Sequence, residues 1–383
     1  MSEKYYRHTV IDVDLEAVDE NYRMIQNLHP DKTFIAVVKA NAYGLGSVTV
    51  ADYLAARGVG FFAVATLDEA IELRMHGIRE KVLVLGAVPP EDINKAIQHR
   101  IAVTAPNLEW LYEACSSMDG RYDKEVWIHI KVNSGMNRLG TSDIGEISRM
   151  IEEIDNNEHF IYEGIYSHFS SADIDSDVNA REYDEFKRIT GAVKRPRYVH
   201  IQNSAGALRV KDDYCNAIRV GISLYGYYTS GYIESISEVK LKPSVMLSTK
   251  VTDMHTLSEG EGVSYGLTYR AQGREKIATL PIGYADGLLR RQTGYEVRLE
   301  DGTNCPITGR VCMDSAMISV PESAEIGDRV IIIDPERESE QSMENYSVHS
   351  ETISYESLTI LSRRIPRIYR GEKAGFVHNE VLK

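Results

Sequence analysis

Lys39 follows the apolar run Thr33-Phe-Ile-Ala-Val-Val and precedes a glycine-containing loop. Four further runs end the same way. Lys131 closes Val126-Trp-Ile-His-Ile, with Arg138 seven residues beyond it, and His168 follows Glu163-Gly-Ile-Tyr. Asn203 and Ser204 follow Tyr198-Val-His-Ile, and Arg219 lies in Ala217-Ile-Arg-Val, just ahead of Gly221 and Ile222. A lysine amine kept neutral by its surroundings condenses with aldehydes. The segments Asn203-Ser-Ala-Gly and Arg219-Val-Gly-Ile-Ser offer small residues whose backbone N–H groups can approach a dianion, with Ser204 adding a hydroxyl and expected to cap a helix. A lysine facing such a cradle suits a phosphorylated aldehyde cofactor. Taken singly, each residue has an ordinary alternative. Lysines at strand ends are usually solvated, and His168 also reads as a satisfied interior histidine. Arg219 also reads as half of a structural ion pair, and Lys131 as an amine paired with a carboxylate.

The elements that would position these residues alternate. Apolar runs also occur at Phe61-Phe-Ala-Val-Ala, Val82-Leu-Val-Leu and Ile101-Ala-Val-Thr, which brings the strands to eight. Helical patterns separate them: one from Asp14 with Leu15, Val18, Tyr22 and Ile25 on one face, one capped by Ser47 and ending at Gly58, and one opened by the Thr66/Glu69 capping box and stopped by Gly77. Others are expected at Ile93 to His99, Leu108 to Cys115 and Asp177 to Val193. Eight strands alternating with helices predict an α/β fold, a (β/α)8 TIM-type barrel, with an open doubly wound sheet as the alternative. In such a barrel the C-terminal strand ends form the active site, and the last two loops frequently hold phosphate.

Beyond residue 240 the texture becomes strand-rich, with runs at Val245 to Val251, Lys276 to Leu280, Glu296 to Leu299, Ala316 to Val320 and Val330 to Ile333 between glycine turns. Helical pattern returns only at Glu351 to Arg364, and Pro335 to Met343 reads as a polar surface loop. The expected domains are a barrel over 1–240 and a mostly-β domain over 241–383, with the strand at 8–14 free to join the second.

The motif Ala36-Val-Val-Lys39-Ala-Asn-Ala-Tyr43-Gly-Leu-Gly closely resembles the pyridoxal-phosphate attachment motif of the alanine racemases. So do Asn137-Arg138-Leu-Gly, Asn203-Ser204-Ala, Arg219-Val-Gly-Ile-Ser-Leu-Tyr-Gly, Val263-Ser-Tyr265-Gly, Pro281-Ile-Gly-Tyr284-Ala-Asp-Gly and Gly309-Arg-Val-Cys-Met313-Asp314, in family order along the whole chain. The resemblance implies a barrel, a β domain, and a homodimer with active sites shared between subunits. It implies that Lys39 holds pyridoxal 5'-phosphate and acts as base on one face of the substrate Cα, with Tyr265 of the partner subunit as acid/base on the other. Tyr43, Ser204, Gly221, Ile222 and Tyr355 would hold the phosphate, with Asn203 beside them, and His168 would pack by the ring. Arg138 and the Met313 backbone would orient the phenolic oxygen and the substrate carboxylate. Leu85 on the cofactor side, and Tyr284, Cys312 and Asp314 on the substrate side, would line the pocket. Family members often carry a carbamylated lysine at the place of Lys131, which is expected here too. The loop Asn133-Ser134-Gly-Met-Asn137-Arg138 departs from the commoner Asp-Thr-Gly-Met-Gly-Arg.

These roles are chemically coherent. Racemisation needs bases on both faces of one carbon, since a single base returns the proton mainly to the face it left. Lysine and tyrosine serve only if their pKa values fall from about 10, through cations and desolvation. Arg219 set against a pyridine nitrogen keeps its own proton, so the ring stays neutral and transamination and decarboxylation are disfavoured. The implied activity is interconversion of L- and D-alanine, supplying D-alanine for peptidoglycan. A decarboxylase of basic amino acids would be expected to set an acid, not an arginine, at that nitrogen. A non-catalytic carrier would have no use for the β domain that bears Tyr265.

Composition sets the outer bounds. A net charge of −14 argues against nucleic acid or an acidic membrane surface as partner. Four scattered cysteines without a CxxC pair suggest neither a metal site nor a disulfide framework. The first residues, MSEKYYRHTV, lack the basic-then-apolar pattern of a signal peptide, so a cytoplasmic location is expected.

Overall fold

Eight apolar runs become eight parallel strands in the computed structural model, which describes residues 5–119, 125–371 and 376–382. After β1 (Val10–Asp14) the barrel strands are β2 (Thr33–Val37), β3 (Phe61–Val64), β4 (Lys81–Ala87), β5 (Ala102–Ala105), β6 (Val126–Lys131), β7 (Phe160–Tyr166), β8 (Tyr198–His200) and β9 (Ala217–Val220). They pair in parallel in the order β8-β7-β6-β5-β4-β3-β2-β9. Asn216 N donates to Val199 O at 3.1 Å and Arg219 N to Gln202 O at 3.0 Å, which joins β8 to β9 and closes the ring. Strands β3, β5 and β9 are buried at every residue, because helices cover their outer face and side chains fill the interior. That accounts for their largely apolar runs, interrupted by Thr104 in β5 and Arg219 in β9. The barrel rather than the open sheet is therefore the architecture.

The helices start where short polar side chains accept the first free N–H groups. Asp14 Oδ1 accepts from Glu16 N and Ala17 N ahead of Leu15–Leu28. Thr66 and Glu69 form the reciprocal capping box of Leu67–Met75. Two expected caps sit one step off. Ser47 is the first residue of its helix, Ser47–Ala55, and its N–H is accepted by Asn41 Oδ1 at 2.9 Å. Ser204 likewise opens Ser204–Arg209, whose cap is Asn203, accepting from Gly206 N at 3.0 Å.

The chain divides into two compact units. The barrel unit comprises Asp19–Ala42 and Ser47–Leu241; the other gathers the described residues up to Val18, the segment Tyr43–Gly46, and the chain from Lys242. The second unit adds β10 (Val245–Lys250), β11 (Asp253–Leu257), β12 (Gly262–Val263), β13 (Tyr269–Arg270), β14 (Glu275–Leu280), β15 (Glu296–Leu299), β16 (Asn304–Pro306), β17 (Ala316–Val320), β18 (Arg329–Ile333), β19 (Arg367–Arg370) and β20 (Phe376–His378). One sheet runs β16-β15-β18-β10-β1-β19-β20, another β11-β14-β17, and β12 pairs with β13. β1 lies antiparallel to β10 and parallel to β19.

Several of these strands escape the apolar pattern. β11 is mostly exposed and polar, and β19 begins and ends in arginine. Arg367 is fully buried; its guanidinium donates to the carbonyls of Gly44, Leu361, Ser362 and Ile365 at 2.6–3.0 Å. The expected surface loop also needs correction. Gln341, Ser342 and Met343 are buried, and Met343 opens the helix Met343–His349. The later helical pattern contracts to Ser354–Thr359. Among the described residues no helix is long and apolar enough to cross a membrane, and no group of three or more His, Cys, Asp or Glu could hold a metal ion. The four cysteines are free.

Candidate active site

Lys39 stands two residues past the end of β2, at the C-terminal mouth of the barrel. The backbone just beyond this lysine is unusual. Ala40, Asn41, Ala42 and Tyr43 are consecutive non-glycine residues with φ between 51° and 57°. Left-handed backbone costs each such residue about 1–2 kcal/mol and persists only where surrounding contacts enforce it. Here Ala40 N donates to Glu69 Oε1 at 2.6 Å, Ala42 N to Val38 O at 2.9 Å, and Asn41 accepts from Ser47. The tight left-handed turn anchors the backbone beside the lysine. Burial pushes the Lys39 amine down, and the Arg138 and Arg219 charges push it the same way against the opposing pull of Glu69.

Arg219, on β9, is 2% exposed. Nη1 donates to His200 Nδ1 at 2.6 Å; Nη2 donates to Ser167 O at 2.7 Å and Ile201 O at 3.1 Å and lies 3.2 Å from His168 Nδ1. Among the described residues no carboxylate pairs with it, so the ion-pair alternative is set aside, and its Nε–H finds no acceptor there. Burial lowers the guanidinium to about 10, which still leaves it charged at neutral pH.

Lys131 ends β6 with its Nζ donating to Val132 O at 2.7 Å, 5.3 Å from the centre of the Tyr166 ring. No carboxylate pairs with it among the described residues. Burial, then Arg219 and Arg138, bring its amine down to about 7, with Glu182 opposing. Arg138 itself is exposed. His168 is held well below the ordinary histidine range by burial and by the same arginines.

Ser204 Oγ accepts from Gly221 N at 2.9 Å, and Ile222 opens the short turn Ile222–Tyr225, so these three residues meet in one place. Leu85, half-buried on β4, accepts from the Tyr166 hydroxyl at 3.0 Å.

The other expected residues belong to the second unit. Tyr43 and Tyr355 come together there, ring centres 6.0 Å apart. Tyr265 follows Ser264, whose φ of +66° is held by its hydroxyl donating to Arg310 O at 2.6 Å. The Tyr265 side chain is 72% exposed and borders a cavity of about 620 Å³ that Cys312 also lines. Tyr284 N donates to Cys312 O and Ala285 N to Met313 O, both at 3.0 Å. The segments meet so closely that a Cβ on Gly283 would lie 2.4 Å from both carbonyls. The Met313 N–H finds no acceptor among the described residues, and Asp314 pairs with Arg364 at 2.8 Å.

Residues not anticipated lie behind Arg219 in the barrel interior. His200 stacks on Tyr166 (4.9 Å, 4°), and beyond it come His129, Glu163 and Lys81. A signal existed: His129 and Lys131 are two apart on one strand and so share a face.

Comparison with known proteins agrees with this architecture. Residues 13–229 match the family model of the alanine racemase N-terminal domain, and residues 244–369 that of the C-terminal domain. The chain is 48% identical to the alanine racemase of Staphylococcus saprophyticus and 50% identical to that of Macrococcus caseolyticus, covering 100% of each chain. Among solved structures, the alanine racemase from Bacillus anthracis with bound L-Ala-P superposes with a TM-score of 0.94 at 37% identity, over 99% of this chain and 100% of that one. A histidine racemase from Leuconostoc mesenteroides gives 0.89 at 27% identity, over 97% and 100%. On both halves of its length, the chain belongs to the alanine racemase family.

Proposed function

We propose that the protein interconverts L- and D-alanine with pyridoxal 5'-phosphate held on Lys39, as a homodimer whose subunits share their active sites. One observation carries the reading: a lysine at the barrel mouth whose amine is pushed toward its neutral, nucleophilic form by burial and two arginines. The residues present fit the cofactor. The Ser204 hydroxyl and the Ile222 amide suit a phosphate, with Gly221 held beside them by its bond to Ser204 Oγ, and the spare Nε–H of Arg219 suits a pyridine nitrogen. When bound, the cofactor supplies the electron sink that acidifies the substrate Cα–H.

The chain's own residues do the rest. Lys39 Nζ takes or returns the proton on one face of Cα, and Tyr265 Oη of the partner subunit serves the other. The wide exposure of Tyr265 suits a side chain that completes a site on another subunit. Arg138 and the Met313 N–H bind the substrate carboxylate, and Tyr284, Cys312 and Asp314 bound the space for its side chain. Tyr43 and Tyr355 add hydroxyls for the phosphate, His168 packs by the ring, and Asn203 and Leu85 support it. Arg219 cannot surrender its proton, so it holds the ring nitrogen unprotonated and limits competing reactions. The relatives are bacterial, and the D-alanine is proposed to feed peptidoglycan synthesis in the cytoplasm.

Lys131 is proposed to react with CO2, since an amine brought down to about 7 is substantially neutral at neutral pH and the Arg219 and Arg138 charges that disfavour its cation would favour the resulting anion. Protein equilibrated with 13C-bicarbonate should show one carbamate carbon resonance that Lys131→Ala removes; a spectrum without it counts against the modification.

The reading as a whole is tested on purified protein given L-alanine. Optical rotation should decay to zero. Borohydride should fix the cofactor on Lys39, and Lys39→Ala should lose both the adduct and the activity. An adduct on another lysine would overturn the assignment. The shared site is tested by mixing Lys39→Ala with Tyr265→Ala under conditions of subunit exchange. Half of a random mixture is heterodimer with one intact site of two, so activity should recover to about a quarter of wild type. Verified exchange without recovery would place both bases on one chain.

A further inference from the structure

Behind Arg219 a line of buried polar groups crosses the barrel interior from one mouth to the other. Arg219 Nη1 meets His200 Nδ1 at 2.6 Å, His200 Nε2 meets His129 Nδ1 at 3.2 Å, and His129 Nε2 meets Glu163 Oε2 at 3.2 Å. Glu163 Oε1 accepts from Lys81 Nζ. Both imidazoles are fully buried and Glu163 is 3% exposed. Lys81 opens β4, so the line ends at the N-terminal mouth, where Lys81 and Glu163 line a cavity of about 710 Å³ with Arg74, Arg100 and Trp127. Room for the His129 ring is made by Gly164, where a Cβ would stand 2.2 Å from Nδ1.

Donor counting gives this line a direction. A guanidinium only donates, so His200 Nδ1 is an acceptor and the His200 proton is on Nε2. That proton points at His129 Nδ1, which must accept, so the His129 proton is also on Nε2 and goes to Glu163. The carboxylate accepts at both oxygens, from His129 and from Lys81. Burial alone would raise its pKa, but hydrogen bonds from His129 and Lys81 bring it below the ordinary range. Both histidines are pushed down by burial, so the neutral rings agree with the counting.

We infer that Glu163 is a positioning residue for racemisation: through His129 and His200 it fixes the acceptor that orients Arg219, and so the donor offered to the cofactor at the opposite mouth. The inference rests on the proposed reading that Arg219 faces the cofactor's ring nitrogen. Its sharpest consequence concerns Glu163→Gln. Glutamine has one oxygen, which the Lys81 cation claims, and its NH2 then faces His129. His129 must accept at Nε2 and carry its proton on Nδ1, His200 must follow, and His200 Nδ1–H then opposes Arg219. Removing the competing cation in Glu163→Gln/Lys81→Met frees the glutamine oxygen to accept from His129, and the original direction returns.

The test uses holoenzyme labelled with 15N-histidine, with tautomers read by NMR and racemisation kinetics measured in parallel. In the wild type, His129 and His200 should each be protonated on Nε2 alone. Glu163→Gln should move both protons to Nδ1, shift the absorption band of the bound cofactor, and lower kcat about tenfold with KM little changed. The double variant should return both tautomers and bring kcat to within about twofold of Lys81→Met alone. A part that merely stabilised the barrel would show no such rescue, because a second buried substitution would add to the damage. The inference is overturned if either wild-type ring carries its proton on Nδ1, or if the double variant is no better than Glu163→Gln. Should Glu163→Gln fail to fold, the wild-type tautomers decide. The same tautomers read after cofactor removal separate the two failures: absence of a Lys39 adduct refutes the functional reading, whereas a reversed tautomer refutes the hydrogen-bonded line.

Discussion

A cation buried without an adjacent anion sets the chemistry of this barrel. Arg219 loses nearly all contact with water, which costs several kcal/mol unless its N–H groups are satisfied. Two carbonyls and an imidazole nitrogen accept from its Nη groups, and all are neutral. The charge is therefore solvated locally but not cancelled, and its field reaches titratable groups around it. Lys39, Lys131, His168 and His200 are all displaced toward their neutral forms, with Arg219 among the causes each time. A carboxylate in contact with Arg219 would erase most of that field. The nearest carboxylate on the line, Glu163, instead acts through two imidazoles, which transmit direction while keeping the negative charge at a distance.

Strand ends and backbone strain convert this field into a site. Lys39 sits beside a left-handed turn of four non-glycine residues, an arrangement that requires Glu69, Asn41 and Ser47 to hold it. The same economy of contact appears at Gly283, which lets Tyr284 N and Ala285 N reach the carbonyls of Cys312 and Met313. In each place a residue expected to touch substrate or cofactor is held by its backbone, so its side chain or N–H remains available. Ser264, at φ +66° before Tyr265, follows the same logic.

Much of this was legible in the residues. Barrel strands buried on both faces leave largely apolar runs, and a Thr66/Glu69 box marks its helix. The motifs around Lys39, Arg219 and Tyr265 point to the family because they occur together and in order, and the family models match both halves of the chain. What was hidden depended on partners distant in sequence. Nothing local reveals that Asn41, rather than Ser47, closes the helix start, since the cap comes from a strained turn. β19 was hidden because its first arginine is buried on carbonyls supplied by Gly44 and the 361–365 segment. Glu163 carries no local signal of a role, and its link to Arg219 exists only once β6, β7, β8 and β9 surround a common interior.

Arg219 is proposed to keep its proton and to leave the ring nitrogen of the cofactor unprotonated. This is tested most directly by reconstituting the protein with pyridoxal phosphate labelled with 15N in the ring and recording the nitrogen chemical shift at neutral pH. The expected shift is that of a neutral, hydrogen-bonded pyridine, moving toward the protonated value when Arg219 is replaced by glutamate. A pyridinium shift in the wild-type protein would contradict it.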